Sequence, residues 1–307
     1  MPEIVKNRSE ILFLYDVKDA NPNGDPVDEN KPRIDEETGV NIVTDVRLKR
    51  TIRDYLHDYK GQEIFIREIR KEDGNLKTKE ERLNDFPDAS IIERCIDIRL
   101  FGSTTAVENK TITLTGPVQF KYGRSLHKVD LTYVKGTTVM PSATGKQQGT
   151  FTERYILPYS LIVFYGVVNE NAAKTQNIPL TNEDVDLMIE GMWNGTKNLI
   201  SGSKFGQMPR LLMQIVYKEG QNFHIGELDK LISLKKSEKS EIPDEAIRDI
   251  SEVKIDITEL LNTLDKYKER IEKIRIKVDD RVKFLKNGGE IDLKSALSGF
   301  TVEELSF

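Results

Sequence analysis

The chain has 307 residues, 32% of them charged, and a formal net charge of −5. That length supports a sizeable core, while the lack of any apolar run near roughly eighteen residues excludes a membrane-spanning helix. A single cysteine, Cys95, excludes an internal disulfide framework and a cysteine-rich zinc site.

In chain order, Met1–Arg8 is polar and has no apolar signal core, so a cytoplasmic protein is expected. Ile11–Val17 reads as a buried first strand. Turn formers follow in Asn21-Pro-Asn-Gly-Asp-Pro26. Thr44 is placed to cap a helix from Asp45 to about Tyr59, whose Leu48, Ile52, Tyr55, Leu56 and Tyr59 recur at helical spacing as one apolar face. Lys49, Arg50 and Arg53 share an adjoining face within i+3/i+4 reach, so the helix is expected to have a core side and a positive side. Residues 60–97 are charged and weakly periodic and read as an insertion with short helices. Cys95 stands there among alternating apolar residues and reads as core.

Strands are expected at Thr111–Lys121 and Pro158–Val168. The intervening stretch is poor in core signals, and its centre, Lys135–Gly149, is extended and punctuated by glycine. Such a stretch inside a compact domain is usually functional or disordered. Thr181-Asn-Glu-Asp184 opens a second helix with a capping-box pattern, and Val185, Met188, Ile189, Met192 and Trp193 mark its core stripe. The loop Ser201–Gly206 leads into a strand from Arg210 to Tyr217. The resulting order is strand, helix, strand, strand, helix, strand, which is the ferredoxin-like order shared by RNA-recognition-motif domains. After a charged linker near Lys235, the last third reads as helical, because Ile257, Leu260, Leu264, Tyr267, Ile271, Ile274 and Val278 alternate by three and four.

The charge is unevenly spread. Between Lys110 and Arg154 seven basic residues face two acidic ones, a net +5, which leaves −10 on the rest. An acidic body with a basic middle suits a polyanion binder whose contacts lie in one groove. Other chemistry is weakly signalled. Asp19–Gly24 imitates the start of a calcium loop, but its twelfth position is Asn30 rather than a bidentate acid. Gly202-Ser-Lys-Phe-Gly206 lacks the ending of a Walker loop, yet it offers backbone N–H groups and Lys204 to a phosphate. No nucleophile elbow is present. The acids of the first loop, Asp19, Asp25, Asp28 and Asp35, read as turn residues.

Specific resemblance begins at Asp16–Pro26 (Asp-Val-Lys-Asp-Ala-Asn-Pro-Asn-Gly-Asp-Pro). It continues through Pro32–Asp35, Glu37–Gly39 and Val43-Thr-Asp-Val-Arg-Leu-Lys-Arg-Thr-Ile-Arg53, and recurs at Thr115–Phe120 and Gly206–Leu212. These segments closely resemble the backbone-subunit family of type I CRISPR Cascade complexes (the "Cas-seven" subunits), in the form found in subtypes I-B and I-C, with I-B the nearer.

The resemblance implies a single α+β, hand-like domain. Its palm is ferredoxin-like, or RNA-recognition-motif-like, over about 8–60, 98–125 and 155–225. A helical fingers insertion spans 61–97, a thumb β-hairpin 126–154, and C-terminal helices 235–307. It implies a non-catalytic subunit without metal or cofactor. The implied partners are the CRISPR RNA, further copies of the chain set head to tail, other Cascade subunits, and target DNA through the assembled complex. Arg47, Lys49, Arg50, Arg53 and Lys204 would contact phosphates, and Asn21 and Asn23 would shape the adjoining loop. Gln119, Lys121 and Arg124 would lie where the palm passes into the basic segment. Lys146 belongs to the thumb, with Met140 or Phe151 as a wedge between bases. No aromatic-rich RNA-recognition signature is present, so phosphate contacts without base readout are expected. Two alternatives remain at this point. One is a metal-dependent RNase of the related type III kind, using the first-loop aspartates. The other is a structural module whose C-terminal seam binds a partner helix.

Overall fold

The computed structural model describes residues 3–86, 91–107, 110–141, 149–236 and 242–307. Its framework is built from β1 (Ser9–Ala20), β2 (Val40–Val43), α1 (Asp45–Lys60), α2 (Ile96–Phe101), β3 (Val118–Phe120), β4 (Gly123–Lys128), β5 (Thr132–Pro141), β6 (Gly149–Val168), α3 (Asn182–Lys197), β7 (Gln207–Tyr217), α4 (Thr258–Lys266), β8 (Ile271–Val278) and β9 (Val302–Glu304). These give an α+β protein with one large mixed sheet in the order β9-β8-β7-β1-β6-β4-β2, with β3 and β5 also pairing with β6. The pairs of β1 with β6 and with β7 are antiparallel, and β8 with β9 is parallel.

Strand β1 sits at the centre because both its faces are apolar. Ile11, Phe13, Tyr15 and Val17 enter a core with α1 and α3, while Leu12 and Leu14 enter a second core on the other side. Alternate residues of a strand point to opposite faces, so a run apolar at every position belongs between two layers. Helix α3 is capped as expected, with Asp184 N–H donating to Thr181 Oγ1 and Thr181 N–H donating back to Asp184. It packs against α1 through small residues. A Cβ at Gly195 would stand 3.0 Å from Tyr55 Cβ and 3.1 Å from the Thr51 carbonyl.

The opposite face of the sheet is covered by the chain after Leu228, through Ile247, Ile255, Leu260, Leu264, Phe284 and Leu297. Here the helical expectation fails. Only α4 follows the three-four spacing, burying Leu260, Leu261 and Leu264. From Ile271 the chain is a strand in the main sheet. A register shift between Val216 and Tyr217 inserts an extra residue opposite them, so Ile271, Ile274 and Ile276 all face inward. That bulge produced the three-residue step that read as a helix. No coiled-coil seam survives.

The insertion after α1 holds short helices, as expected, over a small core of Phe65, Leu83, Phe86, Ile91, Cys95 and Ile98. Cys95 is fully buried, and burial pushes its thiol up to about 12. The basic middle also divides differently from the expected 126–154. Residues 123–128 are a sheet strand, with Ser125 and His127 buried. The projecting hairpin is β5 with the first part of β6, paired from Thr132↔Ile156 to Gly149↔Pro141.

Candidate nucleic-acid interface

Helix α1 buries Leu48, Ile52, Tyr55 and Leu56, whereas Tyr59 is exposed and stacks on Tyr55. The expected open positive side is mostly closed. Arg53 is 8% exposed and Asp97 is fully buried, and Arg53 Nε donates to Asp97 Oδ2 at 2.9 Å. The guanidinium also lies 5.2 Å from the Phe101 ring centroid. Lys49 is buried, paired with Asp45 at 2.8 Å. Arg50 is exposed and paired with Asp54 at 2.7 Å. A cleft of about 590 Å³ opens between this helix and the insertion, lined by Lys49, Arg50, Arg53, Arg67, Lys77 and Arg82 among others. Arg67 pairs with Glu63, and Lys77 and Arg82 with Asp85, so these cations are largely compensated internally.

The N-terminus of α1 is different. Thr44 does not cap the helix with its side chain. Its N–H and hydroxyl both donate to Asn23 Oδ1, at 2.9 and 2.8 Å, which fixes the entry to the helix. Asn21 is buried; its side-chain amide donates to the Asn30 carbonyl at 2.6 Å, and its backbone N–H to the Ser203 carbonyl at 2.8 Å. The loop 201–206 is thereby held against the end of β1, and its Lys204 comes within electrostatic reach of Arg47. Arg47 donates to Thr51 Oγ1 at 2.8 Å and Lys204 to Ser203 Oγ at 3.2 Å. Among the described residues neither has an ion-pair partner. Burial pulls both below their ordinary pKa values, helped at Lys204 by the positive charge of Arg47 and at Arg47 by that of Arg50, with Tyr15 and Asp54 acting on Arg47 in the opposite sense. Two partly desolvated cations outside any ion pair form a site that an anion would relieve.

The structure thus brings Asn21, Asn23, Arg47 and Lys204 together. Sequence reasoning missed two neighbours of this site. Arg154, counted only within the basic segment, donates to the Gly202 carbonyl at 2.6 Å. Phe205 is 72% exposed on the same loop. The signal for Phe205 was the glycine pair flanking Ser203–Phe205, whereas the Arg154 contact joins positions 48 apart and has no local signal.

The other expected contacts are scattered. Gln119 donates to the Gly116 carbonyl at 2.8 Å. Lys121 pairs with Glu227 at 3.1 Å and Asp229 at 3.5 Å and lies over Tyr165, towards the C-terminal cover and away from α1. Arg124 pairs with Asp35 at 3.2 Å. Phe151 is exposed on the hairpin, with Lys135 Nζ 4.8 Å from its ring centroid. Lys146 and the Met140 side chain lie outside the described residues. Three of the first-loop acids are engaged by protein groups. Asp25 accepts from Val27 N–H and faces Arg33, Asp28 pairs with Lys31, and Asp35 accepts from the N–H groups of Glu37 and Thr38. Among the described residues, no three His, Cys, Asp or Glu side chains converge to hold a metal ion.

The geometry therefore offers an anion site at the entry to a helix, next to a basic cleft and a projecting hairpin. Comparison with known proteins bears on the family and the fold. The profile of the family described as "CRISPR-associated protein Cas7" matches residues 7–258. The chain belongs to the Cas7 family. A Cas7 relative from Haloferax volcanii, "CRISPR-associated protein Cas7", is 34% identical, with 90% of this chain and 88% of the relative covered. Two solved structures share the fold. One is titled "CRISPR RNA-guided surveillance complex" (TM-score 0.53, 13% identity, 98% of this chain and 95% of that one). The other is "CRISPR RNA-guided surveillance complex, pre-nicking" (TM-score 0.53, 12% identity, 91% and 96%). The Cas7 match includes α1 and the loop 201–206 and stops at the start of α4, although β8 and β9 extend the same sheet.

Proposed function

We propose that this Cas7 chain is a non-catalytic backbone subunit of a type I CRISPR RNA-guided complex, of the subtype I-B form. It binds the spacer of a CRISPR RNA by its phosphates and lines up head to tail with further copies. In company with the other subunits it presents the guide to target DNA. In this reading the sheet with α1 and α3 is a ferredoxin-like palm, residues 61–97 are the fingers, and the hairpin 132–156 is the thumb. No cofactor is needed, and the protein acts in the cytoplasm.

The observation that carries the reading is the pair Arg47 and Lys204 at the entry to α1, each bonded only to a neutral hydroxyl and neither in an ion pair among the described residues. Cations outside ion pairs are free to replace the counterions of a phosphate chain. A backbone subunit must accept any spacer, and phosphate contacts carry no sequence information. The sheet face on which RNA-recognition motifs stack bases is here buried under the C-terminal segment, which favours binding at the rim.

The test is affinity for single-stranded RNA as a function of salt. Wild type is expected to show a steep slope, roughly −0.7 per phosphate neutralised, and Arg47→Ala/Lys204→Ala to flatten it by about two such steps. An unchanged slope in the double variant refutes the assignment. Magnesium-dependent RNA cleavage that disappears in Asp25→Ala or Asp35→Ala would instead establish the nuclease alternative.

A further inference from the structure

We infer that Phe205 is a nucleobase-stacking residue, supporting the base next to the phosphate held by Arg47 and Lys204. The inference rests on the RNA-binding reading above and extends it to a contact outside the hairpin.

Phe205 is 72% exposed, in a protein whose other phenylalanines are mostly core. Its loop is nevertheless firmly held. The N–H groups of Lys204 and Phe205 donate to the Ser201 carbonyl at 3.2 and 3.1 Å, Asn21 N–H to the Ser203 carbonyl at 2.8 Å, and Lys18 N–H to the Gly206 carbonyl at 3.3 Å. Arg154 from the base of the hairpin holds the Gly202 carbonyl at 2.6 Å. Gly206 completes the clamp. Its φ of +104° lies where side-chain-bearing residues are strained, and a Cβ there would stand 2.8 Å from the Lys18 carbonyl.

A large apolar ring is thus displayed in water on a loop that cannot fold it away, one residue from an unpaired cation. Apolar exposure alone names no occupant, but the charge beside it does. A ligand must supply a negative group to Arg47 and Lys204 and a flat apolar face within one residue's reach. A single-stranded nucleotide has both, since every base offers a π-face. The contact is tolerant of sequence, which suits a subunit that takes any spacer.

The test uses the full chain and three labelled oligonucleotides, oligoadenylate, oligouridylate and an abasic strand with the same sugar-phosphate backbone. Affinity is measured at several salt concentrations for wild type, Phe205→Ala and Phe205→Tyr. Unfolding midpoints confirm that the variants fold, as expected for an exposed side chain. Phe205→Ala is expected to lose about 5- to 150-fold in affinity for the two strands with bases. It should lose nothing on the abasic strand and keep the wild-type salt slope, and Phe205→Tyr should restore binding. Equal affinities of Phe205→Ala and wild type on all strands overturn the inference alone. So does an equal loss on the abasic strand, which would make Phe205 a contact to another protein copy. If wild type binds none of the strands, the RNA-binding reading fails and takes this one with it.

Discussion

Replacing Arg53 by alanine separates a phosphate ligand from a structural ion pair. The side chain sits on the face that the sequence assigns to RNA, yet its head is 9% exposed and its partner Asp97 0%. Breaking a buried pair by removing one partner typically costs about 3–5 kcal/mol, because the remaining charge is left uncompensated. Asp97 retains two donors, the N–H groups of Phe65 at 2.8 Å and Ile66 at 3.1 Å, which argues for the lower end. Loss of the guanidinium from the Phe101 ring adds roughly 0.5–2 kcal/mol. The expected cost is therefore about 3.5–5 kcal/mol, and at a urea m-value near ~3 kcal/mol/M the midpoint falls by about 1.2–1.7 M. The paired variant Arg53→Met/Asp97→Asn removes both charges and should recover part of that loss, which a double-mutant cycle reads directly. RNA affinity of the folded fraction should keep the wild-type salt slope. If Arg53→Ala unfolds at the wild-type midpoint while the slope flattens by about 0.7, the structural assignment is wrong and the sequence reading right.

Three further outcomes are expected. His127 donates from Nδ1 to the Lys128 carbonyl and accepts Leu161 N–H at Nε2, so it is neutral in the fold, and burial lowers its pKa. The unfolded chain then takes up the proton first; stability is complete above about pH 6.5 and falls as the pH drops below it. Urea midpoints should show that decline in wild type and a flatter profile in His127→Gln. At Gly123 a Cβ would overlap the fully buried ring of Phe164, so Gly123→Ala should cost about 1–3 kcal/mol by chemical denaturation. Tyr155→Phe removes the 2.9 Å bond from the hairpin to Glu29; stability should change by about 1 kcal/mol or less, while amide exchange in residues 132–137 and 151–156 accelerates.

What was legible in the sequence follows the range over which each signal acts. The periodicities of β1, α1 and α3 are local and survive into the fold, as does the Thr181–Asp184 capping box. The C-terminal strand was misread because its bulge is decided by pairing with Val216 and Tyr217, more than fifty residues earlier. The start of the hairpin was misplaced for the same reason. Only the pairing of β4 with β2 and β6 shows that residues 123–128 belong to the sheet. At the site, a helical wheel reports which cations share a face but not which acids reach them. Asp97 lies 44 positions from Arg53, beyond any pattern the helix itself contains.

The same logic orders the cations that remain. A cation within reach of a carboxylate can release it for a phosphate, but the exchange returns only the difference between two similar interactions. A cation without a partner gains the whole interaction and relief from its own desolvation. Lys49, Arg50 and Arg53 are of the first kind, Arg47 and Lys204 of the second. Equal counts of basic residues therefore do not imply equal shares of binding. The helix that looked like a uniform positive stripe should act chiefly through its first turn, where the loop 201–206 meets it. Of the rest of the stripe, Lys49 and Arg50 pair within the helix, and Arg53 ties it to Asp97 at the end of the insertion and so helps to set the shape of the groove that the first turn borders.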